Sequence, residues 1–368
     1  VKTVYPNYQN SILNVSATIL KHYGVTSPYD SIQLLENELN MNPKHVMLVL
    51  LDGLGVNIIK NNTSKDSIFR TLMKAEITSV FPPTTVAATT SVISGLPPFS
   101  HGHIGWTQYN KKDDSNTVVF MNEDFYDKTK VLKENFQRRD LSYETIFTKI
   151  KRANPNLHVY EVFPSFRDNG FDTFKAQVDH LINVSKGKAS FSYCYWVEPD
   201  KTIHETGTKD PQLTKLIGQL EKEVKRLITN VAKDTLIVLI ADHGLVDVKP
   251  ININNEQTLL ETLRRMPSVE PRACAFYLKD GMHEAFKNEF KRLFKKNFIL
   301  LTRKEFLETK LLGDGVKHPL LNEFIGDYMA IAKSNYMIQL KEVNQFKAHH
   351  AGLLKDEMMV PLIMHHQS

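Results

Sequence analysis

The hydrophobic positions of this chain fall into two kinds of run. One kind is short and predominantly apolar: His45–Leu51, Leu157–Phe163, Ala189–Val197 and Thr235–Ala241. Such runs predict strands covered on both faces of a parallel sheet. The other kind is periodic, with apolar residues three and four apart in Tyr143–Lys151, Phe171–Val184 and Pro211–Thr229, which predicts amphipathic helices. Strands alternate with helices, so the pattern predicts a doubly wound α/β fold, a mostly parallel sheet flanked by helices.

From about Ile251 to Met337 the pattern changes. Shorter strand candidates, Ala273–Leu278 and Tyr328–Ala332, alternate with basic amphipathic helices at Ala285–Lys295 and Lys304–Leu311. Residues 251–337 therefore read as a smaller cap-like subdomain set into a core made of residues 1–250 and 338–368. The polar stretch Gln108–Arg139, rich in Asn, Asp and Lys, reads as an elaborated loop.

Composition narrows the class. With 42% hydrophobic and 24% charged residues among 368, the chain is of ordinary globular type, and no apolar run reaches the roughly 20 residues of a membrane-spanning helix. The N-terminal Val1–Asn7 is polar where a secretory signal would be apolar, so a cytoplasmic protein is expected. Cys194 and Cys274 each lie inside an apolar run, as buried thiols on strands, and neither has zinc-thiolate spacing. The net charge of +5 is scattered along the chain. It suits a small anionic substrate and excludes nucleic acid and membrane as expected partners.

Candidate chemistry collects at strand ends. Asp52 follows His45–Leu51 and Asp242-His243 follow Thr235–Ala241, and the carboxyl ends of parallel strands form the usual ligand crevice. Two further groups are Asp200 with His204, bracketed by Pro199 and Gly207 as in a loop, and His349-His350-Ala351-Gly352. Six carboxylate and imidazole ligands suit two divalent ions, Zn²⁺ or Mn²⁺. Two such ions can clamp the attacking and leaving oxygens of a phosphoryl displacement. In FPPTTVAATTSVISGL the prolines end a strand and small residues open a helix, placing a hydroxyl at a helix N-terminus, where an anion is favoured. On the residues alone Thr84, Thr85, Thr89 and Thr90 compete for that place.

The order LLDGLG, FPPTTVAATTSVISGLPPFSHG, EPDKTIHETG, IADHG and HHAGLLKDEMMVPLI resembles the type I phosphodiesterase/nucleotide pyrophosphatase branch of the alkaline-phosphatase superfamily, from about Val46 to Ile363. The resemblance implies an alkaline-phosphatase-like fold and a metal-dependent phosphoric ester hydrolase. It implies one zinc ion on Asp52, Asp242 and His243 and another on Asp200, His204 and His350, with His350 preferred over His349. Thr85 is then the nucleophile and a ligand of the metal centre, passing through a phosphothreonine intermediate, and the substrate is a small phosphorylated molecule such as a nucleotide. Thr84 stands where the family has Lys, and Ala88 where it has Asn; the expected preference is diester over monoester, and no substrate-binding residue is assigned. A phosphomonoesterase or phosphonate hydrolase is the alternative, and a phosphosugar mutase the alternative of another class.

Overall fold

The computed structural model describes residues 2–343 and 346–368; Val1, the first residue of the polar N-terminal segment, lies outside them. The central sheet has six strands in the order Met73–Thr78, Met359–Gln367, Thr235–Ile240, His45–Leu51, Ser190–Trp196, His158–Val162. The last four run parallel to one another, and Met359–Gln367 is antiparallel to both of its neighbours. All seven residues of His45–Leu51 are buried, as a strand with partners on both edges and helices over both faces requires. Each fully buried Val, Leu or Met side chain there contributes about 1.5–3 kcal/mol relative to exposure.

The expected helices form with their ends set by capping. Thr145 accepts the Thr148 amide, so the helix expected from Tyr143 begins at Ile146. Thr173 accepts the Ala176 amide and starts Phe174–Ser185 in the same way. Asp210 caps Pro211–Asn230, with Pro211 at the position where a missing N–H costs nothing. Helices Ile12–His22, Thr85–Ser94 and Ile146–Ala153 pack as one group, and Phe174–Ser185 against Pro211–Asn230 as another.

A second sheet is antiparallel throughout, in the order Phe298–Thr302, Tyr328–Ala332, Ala273–Leu278, Leu263–Glu270, Thr107–Asn110, Ser115–Val118, Glu123–Asp124. The first four strands fall in the segment expected to be a cap. The last three correct the reading of Gln108–Arg139 as a loop. Polar composition hid them because their polar side chains are buried and hydrogen-bonded: Gln108 donates to Gly102 O and accepts from the Ile104 amide, and Asn110 donates to Asp113. Asp114, at φ +46°, supplies the left-handed turn between the first two of these strands. Both cysteines are buried and free, on Ser190–Trp196 and Ala273–Leu278.

Candidate metal centre and active site

Two carboxylate and imidazole groups meet beyond the carboxyl ends of the parallel strands. In each of the sets Asp52, Asp242, His243 and Asp200, His204, His350, the ligand atoms all lie within 4.8 Å of one another. Asp52 follows His45–Leu51 directly, and its backbone continues the ladder, its amide donating to Trp196 O at 3.0 Å. Gly53 then turns the chain at φ +73°, so close to the second set that a Cβ would lie 2.8 Å from Asp200 Cβ. The Gly53 and His243 amides both donate to Asp242 Oδ1 at 3.0 Å, and the Asp200 amide donates to Asp52 O at 2.9 Å. The two sets are therefore joined through the backbone.

Asp200 and His204 lie on a helix, Asp200–Thr206, and not on the expected loop. Pro199 occupies the N-cap and Gly207 the C-cap, so both residues punctuate a short helix where they were read as loop markers. The spacing of four puts the side chains on one face, with His204 Nε2 3.4 Å from Asp200 Oδ2.

The three imidazoles share one arrangement. His204 Nδ1 faces Ala348 O at 2.8 Å, His350 Nδ1 faces Pro83 O at 3.1 Å, and His243 Nδ1 faces Gly244 O at 3.2 Å. A carbonyl only accepts, so Nδ1 carries a proton in each ring, which leaves Nε2 as the atom that could take a metal ion. The Nε2 atoms point at carboxylates: His243 lies 3.5 Å from both Asp52 and Asp242, and His350 lies 3.9 Å from Asp200.

The electrostatics call for cations. Burial, then the charges of Asp242 and Asp200, pushes Asp52 well above the usual carboxylate range, and burial raises Asp242. Burial also works to raise Asp200, but the imidazoles of His204, His243 and His349 hold it below that range. His350 is pushed well below its ordinary value by burial and by neighbouring imidazoles, so it is neutral near pH 7. Asp200 Oδ1 and Asp242 Oδ2 are buried without a hydrogen-bond partner among the described residues. Orphaned carboxylate oxygens in buried sites are costly, and a divalent ion at each set would satisfy them. The donor set thus fits two ions with oxygen and nitrogen ligands.

Thr85 opens the helix Thr85–Ser94. Its Oγ1 lies 3.2 Å from His243 Nε2 and 3.3 and 3.4 Å from the two Asp52 oxygens. The first backbone bond of that helix runs from the Ala88 amide to Thr84 O, so the amides of Thr85, Val86 and Ala87 precede it. Among the competing hydroxyls, Thr89 donates back to Thr85 O and Thr84 donates to Glu270; Thr85 alone of these adjoins the ligand cluster. His349 accepts the His350 amide at Nδ1, and its ring packs against that of His204 with centroids 4.9 Å apart.

Four residues at the site went unread in the sequence. Tyr195 donates its hydroxyl to Asp52 Oδ2. Glu270 accepts from Thr84 and from the Trp106 amide. Arg272 and Glu357, both fully buried, form a two-pronged ion pair at 2.6 and 2.7 Å. Glu357 also accepts the Gly352 and Leu354 amides, fixing the turn that carries His350. The available signal was Glu270-Pro271-Arg272, two charges at the mouth of the apolar run Ala273–Leu278.

A helix-flanked α/β sheet with paired carboxylate–imidazole sets at its strand ends is the architecture of a metal-dependent phosphoric ester hydrolase. The sequence model of the type I phosphodiesterase / nucleotide pyrophosphatase family matches residues 46–353, and the chain belongs to that family. Among solved structures, murine ectonucleotide pyrophosphatase / phosphodiesterase 5, as an inactive variant in complex with AMP, is similar at a TM-score of 0.64 and 17% identity, over 88% of each chain. The human protein of the same name gives the same score and identity over 87% of each chain. These likenesses establish an alkaline-phosphatase-like fold. No curated protein matches the sequence. Among the described residues, no helix is long and apolar enough to cross a membrane.

Proposed function

We propose that the chain hydrolyses phosphodiester or phosphoanhydride bonds in a small, nucleotide-like substrate, with Thr85 as nucleophile. Two divalent ions, zinc in this reading, are held by Asp52, Asp242 and His243 and by Asp200, His204 and His350. The observation that carries the proposal is the position of Thr85 Oγ1, at a helix N-terminus and 3.2 Å from His243 Nε2, beside one ligand set. Bound divalent ions supply positive charge that favours an ionised hydroxyl and offsets charge on the phosphoryl oxygens. Thr85 Oγ1 bonds to phosphorus as the bond to the leaving oxygen breaks, giving a phosphothreonine. Water then displaces Thr85 and restores the hydroxyl. The amides of Thr85, Val86 and Ala87 face the phosphoryl group and stabilise its negative charge. The complex of the murine relative with AMP supports a nucleotide as substrate class.

The test is the zinc-loaded protein assayed against bis-p-nitrophenyl phosphate and p-nitrophenyl phosphate, with Thr85→Ala as control. Diester cleavage that exceeds monoester cleavage and is lost in the control is expected, together with a phosphorylated Thr85 peptide in acid-quenched wild type. Release from either ester that survives in Thr85→Ala would remove the nucleophile assignment.

A further inference from the structure

Thr84 stands directly before Thr85, at the N-cap of the helix Thr85–Ser94, with the extended backbone of a cap (φ −142°, ψ 148°). A threonine there ordinarily turns its hydroxyl oxygen to accept an amide of the first turn. Thr84 makes no such bond; its hydroxyl donates to Glu270 Oε1 at 2.6 Å. The same oxygen accepts the Trp106 amide at 2.7 Å. One buried carboxylate thus ties the residue before Thr85 to the segment that follows Gly105.

The backbone is strained to put it there. Val269 has φ +79°, a region that strains a β-branched residue and persists only where its surroundings over-determine it. Gly105 lies against Val269 so closely that a Cβ would come 2.6 Å from Val269 Cγ1 and 2.8 Å from its carbonyl oxygen. The pairing of Val269 with Thr107 continues the contact, the Val269 amide donating to Thr107 Oγ1 at 3.2 Å. Strain at Val269 and the missing side chain at Gly105 together bring Glu270 against Thr84 and Trp106.

We infer that Glu270 is a positioning residue for the nucleophile, tethering the Thr84 hydroxyl and the Trp106 amide to one carboxylate oxygen so that the start of the helix, with Thr85 Oγ1, is held in place. The inference rests on the reading of Thr85 as nucleophile. Glu270 and Thr84 act as one unit, so loss of either partner has the same consequence as loss of both.

The experiment compares wild type, Thr84→Val, Thr84→Ser, Glu270→Ala, Glu270→Gln, the double variant Thr84→Val/Glu270→Ala, and Thr85→Ala, all zinc-loaded, on bis-p-nitrophenyl phosphate. Misplacing a reacting group by about 1 Å costs up to about a hundredfold in rate. Thr84→Val and Glu270→Ala are expected to lose about tenfold to a hundredfold in kcat with KM within about twofold, and the double variant to lose no more than the worse single one. Thr84→Ser and Glu270→Gln keep a donor and an acceptor respectively and recover most of the rate. A second readout needs neither metal nor turnover. In metal-free protein, hydrogen exchange at the Trp106 amide should be slow in wild type and in Glu270→Gln, and fast in Glu270→Ala. If Glu270→Ala does not fold, Thr84→Val, which keeps its shape, carries the test. Wild-type kcat in Thr84→Val with an inactive Thr85→Ala overturns the inference alone; an active Thr85→Ala overturns the reading beneath it.

Discussion

The imidazoles of His243 and His350 stack, with ring centroids 3.8 Å apart and 25° between their planes, although each belongs to a different ligand set. The stack makes the two sets immediate neighbours. Burial, and then the neighbouring imidazoles, His243 first, hold His350 well below its ordinary value. With Nδ1 of each ring committed to a carbonyl, Nε2 is the atom presented to an ion.

Metal stoichiometry tests the pairing. Dialysed wild type is expected to bind two zinc ions per chain by elemental analysis, and EDTA to abolish activity that zinc or manganese restores. His204→Ala removes one donor of the Asp200 set and leaves Asp52, Asp242 and His243 intact, so it should retain a single tight ion. Two ions retained by His204→Ala would show that the sets are drawn wrongly.

Arg272 and Glu357 give a prediction about the scaffold. Removing one member of a buried ion pair leaves an uncompensated charge, at a cost of about 3–5 kcal/mol. Arg272→Ala strands Glu357, which also anchors the Gly352 and Leu354 amides. Urea unfolding should show a loss of that size, and zinc affinity at the His350 set should weaken in the protein that remains folded. An unchanged urea midpoint would mean that the pair contributes nothing.

Much of this was legible in the sequence, and the limits have physical reasons. Fully apolar runs such as His45–Leu51 leave little choice but a buried parallel strand, and polar groups placed directly after them, Asp52 and Asp242-His243, must be satisfied by something. The strands Thr107–Asn110 and Ser115–Val118 were hidden because their buried polar side chains are satisfied by partners outside the two strands, such as Gly102 O for Gln108 and Met266 O for Asn116, which only the tertiary fold reveals. The Asp200–Thr206 helix was hidden because proline and glycine mark helix ends as often as loops. Glu270 and Arg272 went unread because nothing local links them to Thr84 or Glu357, whose partners lie 186 and 85 residues away.

Gly53 should tolerate no side chain. Its left-handed φ of +73° costs any other residue about 1–2 kcal/mol, and a Cβ would meet Asp200 Cβ and Leu245 Cδ1 at 2.8 Å. Gly53→Ala is expected to push Asp200 from its place, lowering zinc occupancy of that set first. Gly218→Ala serves as control: this glycine lies within Pro211–Asn230 with nothing within 4 Å of an added Cβ, and alanine there should stabilise by about 0.5–1 kcal/mol. Equal effects of the two substitutions would argue against the steric account.

Glu270 links the site to pH. Burial raises its carboxyl from 4.5 to about 7, against the hydrogen bonds from Thr84 and Trp106, with His204 lowering it and Asp200 raising it. An acid whose folded value exceeds its unfolded one holds more protons when folded, so stability falls as pH rises from about 4.5 to about 7 and stays lower above that. At about 1.4 kcal/mol per unit the full cost is on the order of 3 kcal/mol. Glu270→Gln carries no such charge, so in metal-free protein its melting temperature should gain on wild type between pH 5 and pH 8, and not below pH 5. A difference that does not change with pH would place the ionisation of Glu270 outside this range.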